Sequence, residues 1–76
     1  MEYYSLPDLK TLLTLKAVVE RGGVNEAAKL LNIGQPAVTK RLRSLDEIYD
    51  DVLMERVSGR LHLTKTGQAV YQFAVQ

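Results

Sequence analysis

The sequence predicts a mostly α-helical domain with one β-hairpin late in the chain. Three observations carry that expectation. Apolar residues recur at spacings of three and four in separate segments, as helices with one buried face require. Gly22-Gly23 and Asn32-Ile33-Gly34 divide the first three of those segments. Two short apolar runs then flank Ser58-Gly59, which is hairpin patterning rather than helix patterning.

Leu6-Pro7-Asp8 predicts the first helix start, because Pro suits the opening turn and an acid there complements the helix dipole. Leu9, Leu12, Leu15 and Val19, joined by Leu13 and Val18, form its expected core stripe, and Gly22-Gly23 ends it. Asn25 is the expected N-cap of a second, short helix. Ala27, Ala28 and Leu31 share one side of it, and the two small alanines let a neighbouring helix approach closely. Asn32-Ile33-Gly34 reads as a tight turn, and Gln35-Pro36 opens a third helix over about residues 35–47. Val38, Leu42 and Leu45 lie at i, i+4 and i+7 on its core stripe. Gln35, Thr39 and Arg43 lie at i, i+4 and i+8 on another, with Pro36 and Lys40 beside them and Arg41 off it. That second stripe reads as amide, hydroxyl and cation, without an acid. Val52-Leu53-Met54 and Leu61-His62-Leu63 are the expected strands around the turn Val57-Ser58-Gly59-Arg60. Thr64 can cap a last helix carrying Val70, Phe73 and Ala74. Its apolar pattern still runs at Gln76, so this helix is expected to be cut short.

Composition bounds the function. At 76 residues the chain is one small domain with a modest core. A content of 46% hydrophobic and 25% charged residues argues for a folded chain rather than a disordered one. No apolar run approaches the ~18 residues of a membrane span, and Met1 to Leu6 lack a signal peptide's pattern, so a soluble, intracellular protein is expected. Without cysteine and with His62 alone, zinc, iron–sulfur and thiol chemistry and a serine–histidine pair find no support. No cofactor, no metal and no catalytic residue are expected.

The net charge of +1 hides a pattern. Residues 27–45 hold Lys29, Lys40, Arg41 and Arg43 with no acid. Residues 46–55 hold five acids and no base, and residues 56–76 hold Arg56, Arg60 and Lys65 with no acid. A fold that joins the two basic segments presents one face to phosphates. The order helix, short helix, turn, helix, hairpin, helix is that of a winged helix-turn-helix: a three-helix core, a β-hairpin wing and the start of a linker helix. In that architecture the third helix buries one stripe and offers the other to a DNA major groove, while the hairpin tip reaches the adjacent backbone or minor groove.

The sequence also resembles the LysR-type transcriptional regulators of bacteria over about residues 8–70. The run from Glu20 through Gly22-Gly23-Val24 to Ala27-Ala28 and Leu31 is similar to the family's helix-turn entry. Gln35-Pro36-Ala37-Val38-Thr39 resembles its Ser-Gln-Pro-Ala-Leu-Ser signature, and Leu45-Asp46-Glu47 its Leu-Glu-Glu. Leu53-Met54-Glu55-Arg56 is similar to Leu-Phe-x-Arg, and Leu63-Thr64-Lys65-Thr66-Gly67 to Leu-Thr-x-Ala-Gly. There are departures. Gly34 replaces Ser, Glu26 stands where many members have Arg, Tyr49-Asp50 replaces Leu-Gly, and Met54 replaces Phe.

The resemblance implies sequence-specific binding of double-stranded DNA by a bacterial cytoplasmic regulator, nucleoid-associated when bound. Gln35, Pro36, Thr39 and Lys40 fall on its base- and phosphate-facing positions, and Arg56 and Arg60 on the wing at about residues 57–61. Arg43 joins them from the helix stripe. Residues 1–63 would be the DNA-binding domain and 64–76 the start of the linker helix. The full-length protein would then be a homodimer or higher homo-oligomer, sensing a small-molecule effector through a C-terminal domain absent here. Arg56 has two readings, contact with DNA or an ion pair with the acids of residues 46–55. The rival function is a winged-helix module for protein–protein interaction or dimerisation, which the near-neutral charge and Glu26 favour.

Overall fold

The computed structural model describes residues 8–75. They form α1 (Leu9–Arg21), α2 (Val24–Leu31), α3 (Gln35–Tyr49), β1 (Met54–Val57), β2 (Arg60–Leu63) and α4 (Lys65–Ala74). The predicted fold class holds: a helical core with one two-stranded antiparallel hairpin. Helix α1 packs against α2, α3 and α4, and α2 also packs on α3.

Asp8 is the N-cap of α1, its Oδ1 accepting a hydrogen bond from the Thr11 amide at 2.9 Å. Leu6 and Pro7, the rest of the predicted start signal, lie outside the described residues. Gly22 ends α1 at φ 86°, the left-handed conformation that suits glycine. Gly23 then serves as the N-cap of α2 without a side-chain bond. Asn25 is therefore not the predicted cap but a residue of the first turn. The two glycines close one helix and open the next, leaving no separate position for a capping side chain.

The face that α1 buries differs from the predicted leucine stripe. Thr11, Thr14, Leu15, Ala17 and Val18 are buried, and Leu12 and Val19 are half-buried. Leu9 and Leu13 are exposed, Leu9 by 70%. Two threonines can replace leucines inside because each hydroxyl bonds to its own helix. Thr14 Oγ1 donates to the Lys10 carbonyl at 2.7 Å, and Thr11 Oγ1 to the Asp8 carbonyl at 3.0 Å.

The core has two adjoining parts. Ala17, Val18, Ala27, Ala28 and Val38 fill the junction of α1, α2 and α3, where the paired alanines allow the close approach their size predicts. Leu15, Leu45, Leu53 and Val70 join α1 and α3 to the loop before β1 and to α4. Leu42 and Met54 touch both parts. Full burial of Leu15 or Leu45 stabilises by about 1.5–3 kcal/mol each. Phe73, placed at helical spacing with Val70, is 58% exposed.

Helix α3 runs to Tyr49, slightly beyond the predicted end, and closes on Asp50 at φ 52°, ψ 42°. Asp50 thus adopts the left-handed conformation that a glycine would take more easily. Strand β1 begins at Met54, not Val52, because the polar groups of Leu53 are engaged elsewhere. Its amide donates to Asp46 Oδ1 at 3.1 Å, and its carbonyl accepts from the Thr64 amide at 2.9 Å. The strands pair Met54 with Leu63, Glu55 with His62, Arg56 with Leu61 and Val57 with Arg60. Ser58 and Gly59 both have positive φ (54° and 78°), as a two-residue primed turn demands. Thr64 caps α4 as predicted, its hydroxyl accepting from the Gly67 amide at 3.0 Å.

Candidate nucleic-acid interface

Helix α3 opens on Gly34, whose carbonyl accepts from the Ala37 and Val38 amides. No side chain caps this end, so its partial positive charge stays available to an anion. With Val38 and Leu45 buried, the opposite face must lie outward. Gln35, Pro36, Thr39, Lys40, Arg43, Ser44 and Glu47 line one open groove along it. Five of those residues were predicted for the site. Gln35, Pro36, Lys40 and Arg43 are exposed, and Thr39 is half-buried.

Ser44 and Glu47 were missed. Glu47 continues the 35–39–43 spacing by four, so the stripe carries an acid at its far end, contrary to the reading that it has none. The same arithmetic, taken one turn further, would have found it.

Arg56 joins this face from the hairpin. A second concavity is lined by Gly22, Gly23, Val24, Asn25, Glu26, Gln35, Thr39 and Arg56. It brings together the α1–α2 junction, the start of α3 and strand β1. Arg56 Nη1 donates to the Gly59 carbonyl at 3.3 Å. Of its two readings, the ion pair with the acids of residues 46–55 is not formed. The ion pairs among the described residues are Lys16–Glu20 and Lys29–Glu26. Asp46 instead holds the Leu53 amide, and Asp51 accepts from the Val52 amide and the Thr66 hydroxyl. Those acids tie the α3–β1 loop together.

Arg60 is exposed but stands apart from Arg56. Successive strand residues face opposite sides, and Arg56 pairs with Leu61 whereas Arg60 pairs with Val57. The two wing arginines therefore lie on opposite faces of the hairpin. Arg56 is turned toward α3, and Arg60 sits beside the turn. Arg41 lies off the groove, as its helical position predicts. It is half-buried, and its Nη1 donates to Thr14 Oγ1 at 3.3 Å, tying α3 to α1.

Two carboxylates have pKa values below the ordinary range, and both are remote from the groove. Asp8 is lowered chiefly by the Thr11 amide, and Glu20 chiefly by its hydrogen bond from Lys16. No group of three or more potential ligands that could hold a metal occurs among the described residues. Nor is any described helix long and apolar enough to cross a membrane.

An amphipathic third helix with an open polar groove, packed on two helices and flanked by a hairpin, defines a winged helix-turn-helix domain. A profile of bacterial regulatory helix-turn-helix proteins of the lysR family matches residues 9–68. The chain is 35% identical over 65 residues to the transcriptional activator protein LysR of Escherichia coli (strain K12), covering 86% of this chain and 21% of that protein. It is 38% identical over 61 residues to the HTH-type transcriptional regulator YbhD of the same organism, covering 80% of this chain and 19% of YbhD. It thus spans about a fifth of either relative. Two similar solved structures are DNA complexes. BenM_DBD with catB site 1 DNA has a TM-score of 0.82 at 34% identity, covering 90% of this chain and 76% of that one. The CbnR_DBD–DNA complex has a TM-score of 0.82 at 32% identity, covering 90% and 78%. The chain belongs to the LysR family of bacterial regulatory helix-turn-helix proteins.

Proposed function

We propose that this chain binds double-stranded DNA sequence-specifically as the DNA-binding part of a cytoplasmic LysR-type transcription regulator. The observation that carries the reading is the match over 90% of the chain to two domains solved on DNA. The same match weighs against the interaction-module alternative. Binding is the whole mechanism, without a chemical step. Helix α3 enters the major groove with its N-terminal end foremost. Gln35 and Thr39 discriminate bases, Gln35 through the paired donor and acceptor of its amide. Pro36 packs beside them at the start of the helix. Lys40 and Arg43 on α3, and Arg56 and Arg60 on the wing, neutralise phosphates and fix the register. Residues 1–63 are the DNA-binding domain, and 64–76 begin a linker helix through which the whole protein forms a homodimer or higher homo-oligomer. The parts beyond this chain would bind a small-molecule effector.

Paired alanine substitutions test the assignment. Gln35→Ala is expected to cost about 1–3 kcal/mol on cognate DNA and to relax preference at one base position. Lys40→Ala is expected to weaken binding to all sequences alike and to lower the salt slope by about one. Equal losses for Gln35→Ala on cognate and random duplexes would remove it from base reading. An unchanged slope would remove Lys40 from the phosphate contacts.

A further inference from the structure

Glu26 sets an acid beside the amide of Gln35, the hydroxyl of Thr39 and the guanidinium of Arg56, at the opposite end of the site from Glu47. It lies in the first turn of α2 and lines two concavities, each shared with Gln35. One also contains Thr39 and Arg56. The other contains Lys29, Asn32 and Gly34. In helix-turn-helix docking, the helix before the recognition helix crosses the DNA backbone, so its first turn meets phosphates. There Glu26 does two unfavourable things at once. It repels phosphate directly, and it holds the one cation of α2, Lys29, in an ion pair at 3.3 Å. Both side chains are well exposed, 58% for Glu26 and 76% for Lys29. A pair so exposed contributes little to the fold, and its effect falls on what approaches from solvent.

We infer that Glu26 limits sequence-independent DNA affinity by neutralising Lys29 at the backbone-crossing helix. The inference rests on the reading of α3 as the DNA-facing helix. Non-specific binding is almost wholly phosphate electrostatics, so a neutral α2 removes one contact from it. Discrimination is then left to the base contacts of Gln35 and Thr39. The magnitude is bounded, because an exposed ion pair shifts an equilibrium by about fivefold at most.

The test is anisotropy of a labelled random duplex with the full 76-residue chain, titrated between about 50 and about 200 mM salt. Glu26→Gln is expected to raise affinity about threefold to fivefold at the low end and to steepen the salt slope by roughly 0.9. Lys29→Ala is expected to cost less in the native background, where Glu26 already holds the cation, than in the Glu26→Gln background, where it removes most of the gain. Glu20→Gln is the control. It removes the same charge from the Lys16–Glu20 pair on α1, and is expected to leave affinity within about twofold. A gain from Glu20→Gln equal to that from Glu26→Gln would overturn the inference, leaving only an effect of net charge. An equal cost of Lys29→Ala in both backgrounds would overturn it too, as would a loss of affinity in Glu26→Gln. Lys40→Ala separates the two levels of argument. If it lowers the slope while Glu26→Gln does nothing, only this inference fails; if the native chain shows no salt-dependent binding at all, the DNA reading fails as well.

Discussion

Gly67 stands where α4 crosses the loop behind Leu53. A Cβ at this position would lie 2.0 Å from the Leu53 carbonyl oxygen and 3.0 Å from a Leu63 methyl. Backbone cannot yield as a flexible side chain can, so Gly67→Ala is expected to destabilise the domain by about 3 kcal/mol. Urea unfolding of the variant checks this, and an unchanged midpoint would show that α4 is free to shift. The sequence showed a glycine at this point of a motif, but only the packing gives its reason. Asp50 teaches the converse lesson. A glycine was the easier residue for the end of α3, yet the helix closes with Asp50 in the left-handed conformation. Aspartate is one of the few side chains that tolerates this region, so the backbone geometry persists without the residue that best suits it. The residues that line the groove follow the same logic. Gln35, Thr39, Lys40 and Arg43 were legible because spacing on a helix fixes which face a residue occupies. The division between Arg56 and Arg60 was not, because it depends on a strand register set by where the turn falls.

Among the elements, α1 departs furthest from its pattern. Leucines dominate the segment, so hydrophobicity alone selects Leu9 and Leu13 for the interior. The buried face is instead set by 11, 14, 15, 17 and 18, in a helix that packs against α2, α3 and α4. A threonine whose hydroxyl is satisfied within its own helix is sterically acceptable there, and no hydropathy pattern distinguishes it from a surface threonine. The start of α1 is the element's most testable feature. The Thr11 amide stabilises the ionised Asp8 carboxylate, so its pKa in the folded state lies below that of the unfolded chain. The cap therefore stabilises fully above the unfolded value and loses its contribution as pH falls through the lowered folded value. Asp8→Ala is expected to lower the melting temperature near pH 7, with the difference from the native chain shrinking toward about pH 2. Thermal melts across that range check it, and a difference independent of pH would place the effect outside the carboxylate.

At the scale of the whole molecule, a net charge of +1 conceals an uneven surface. Three of the five acids of residues 46–55 serve the fold, while Glu47 lines the far end of the groove. Asp46 and Asp51 hold the loop that places β1, and Asp50 closes α3. This internal use leaves Lys40, Arg43 and Arg56 on the groove side without partners among the ion pairs of the described residues. The order of elements was legible from punctuation by glycine, proline and hairpin residues. Where the unpaired cations collect depends on how the hairpin packs beside α3, a separation of charge that only the folded chain displays.

The central claim is that this separation serves DNA. The most direct measurement is binding of a labelled random duplex by this domain fused to a leucine zipper, so that a shortfall in dimerisation cannot mask the result. The account predicts binding at about 50 mM salt that weakens by orders of magnitude toward about 200 mM, as a dimer with several phosphate contacts per copy must. A folded, dimeric fusion that fails to bind at low salt, or binds with no dependence on salt, would contradict it.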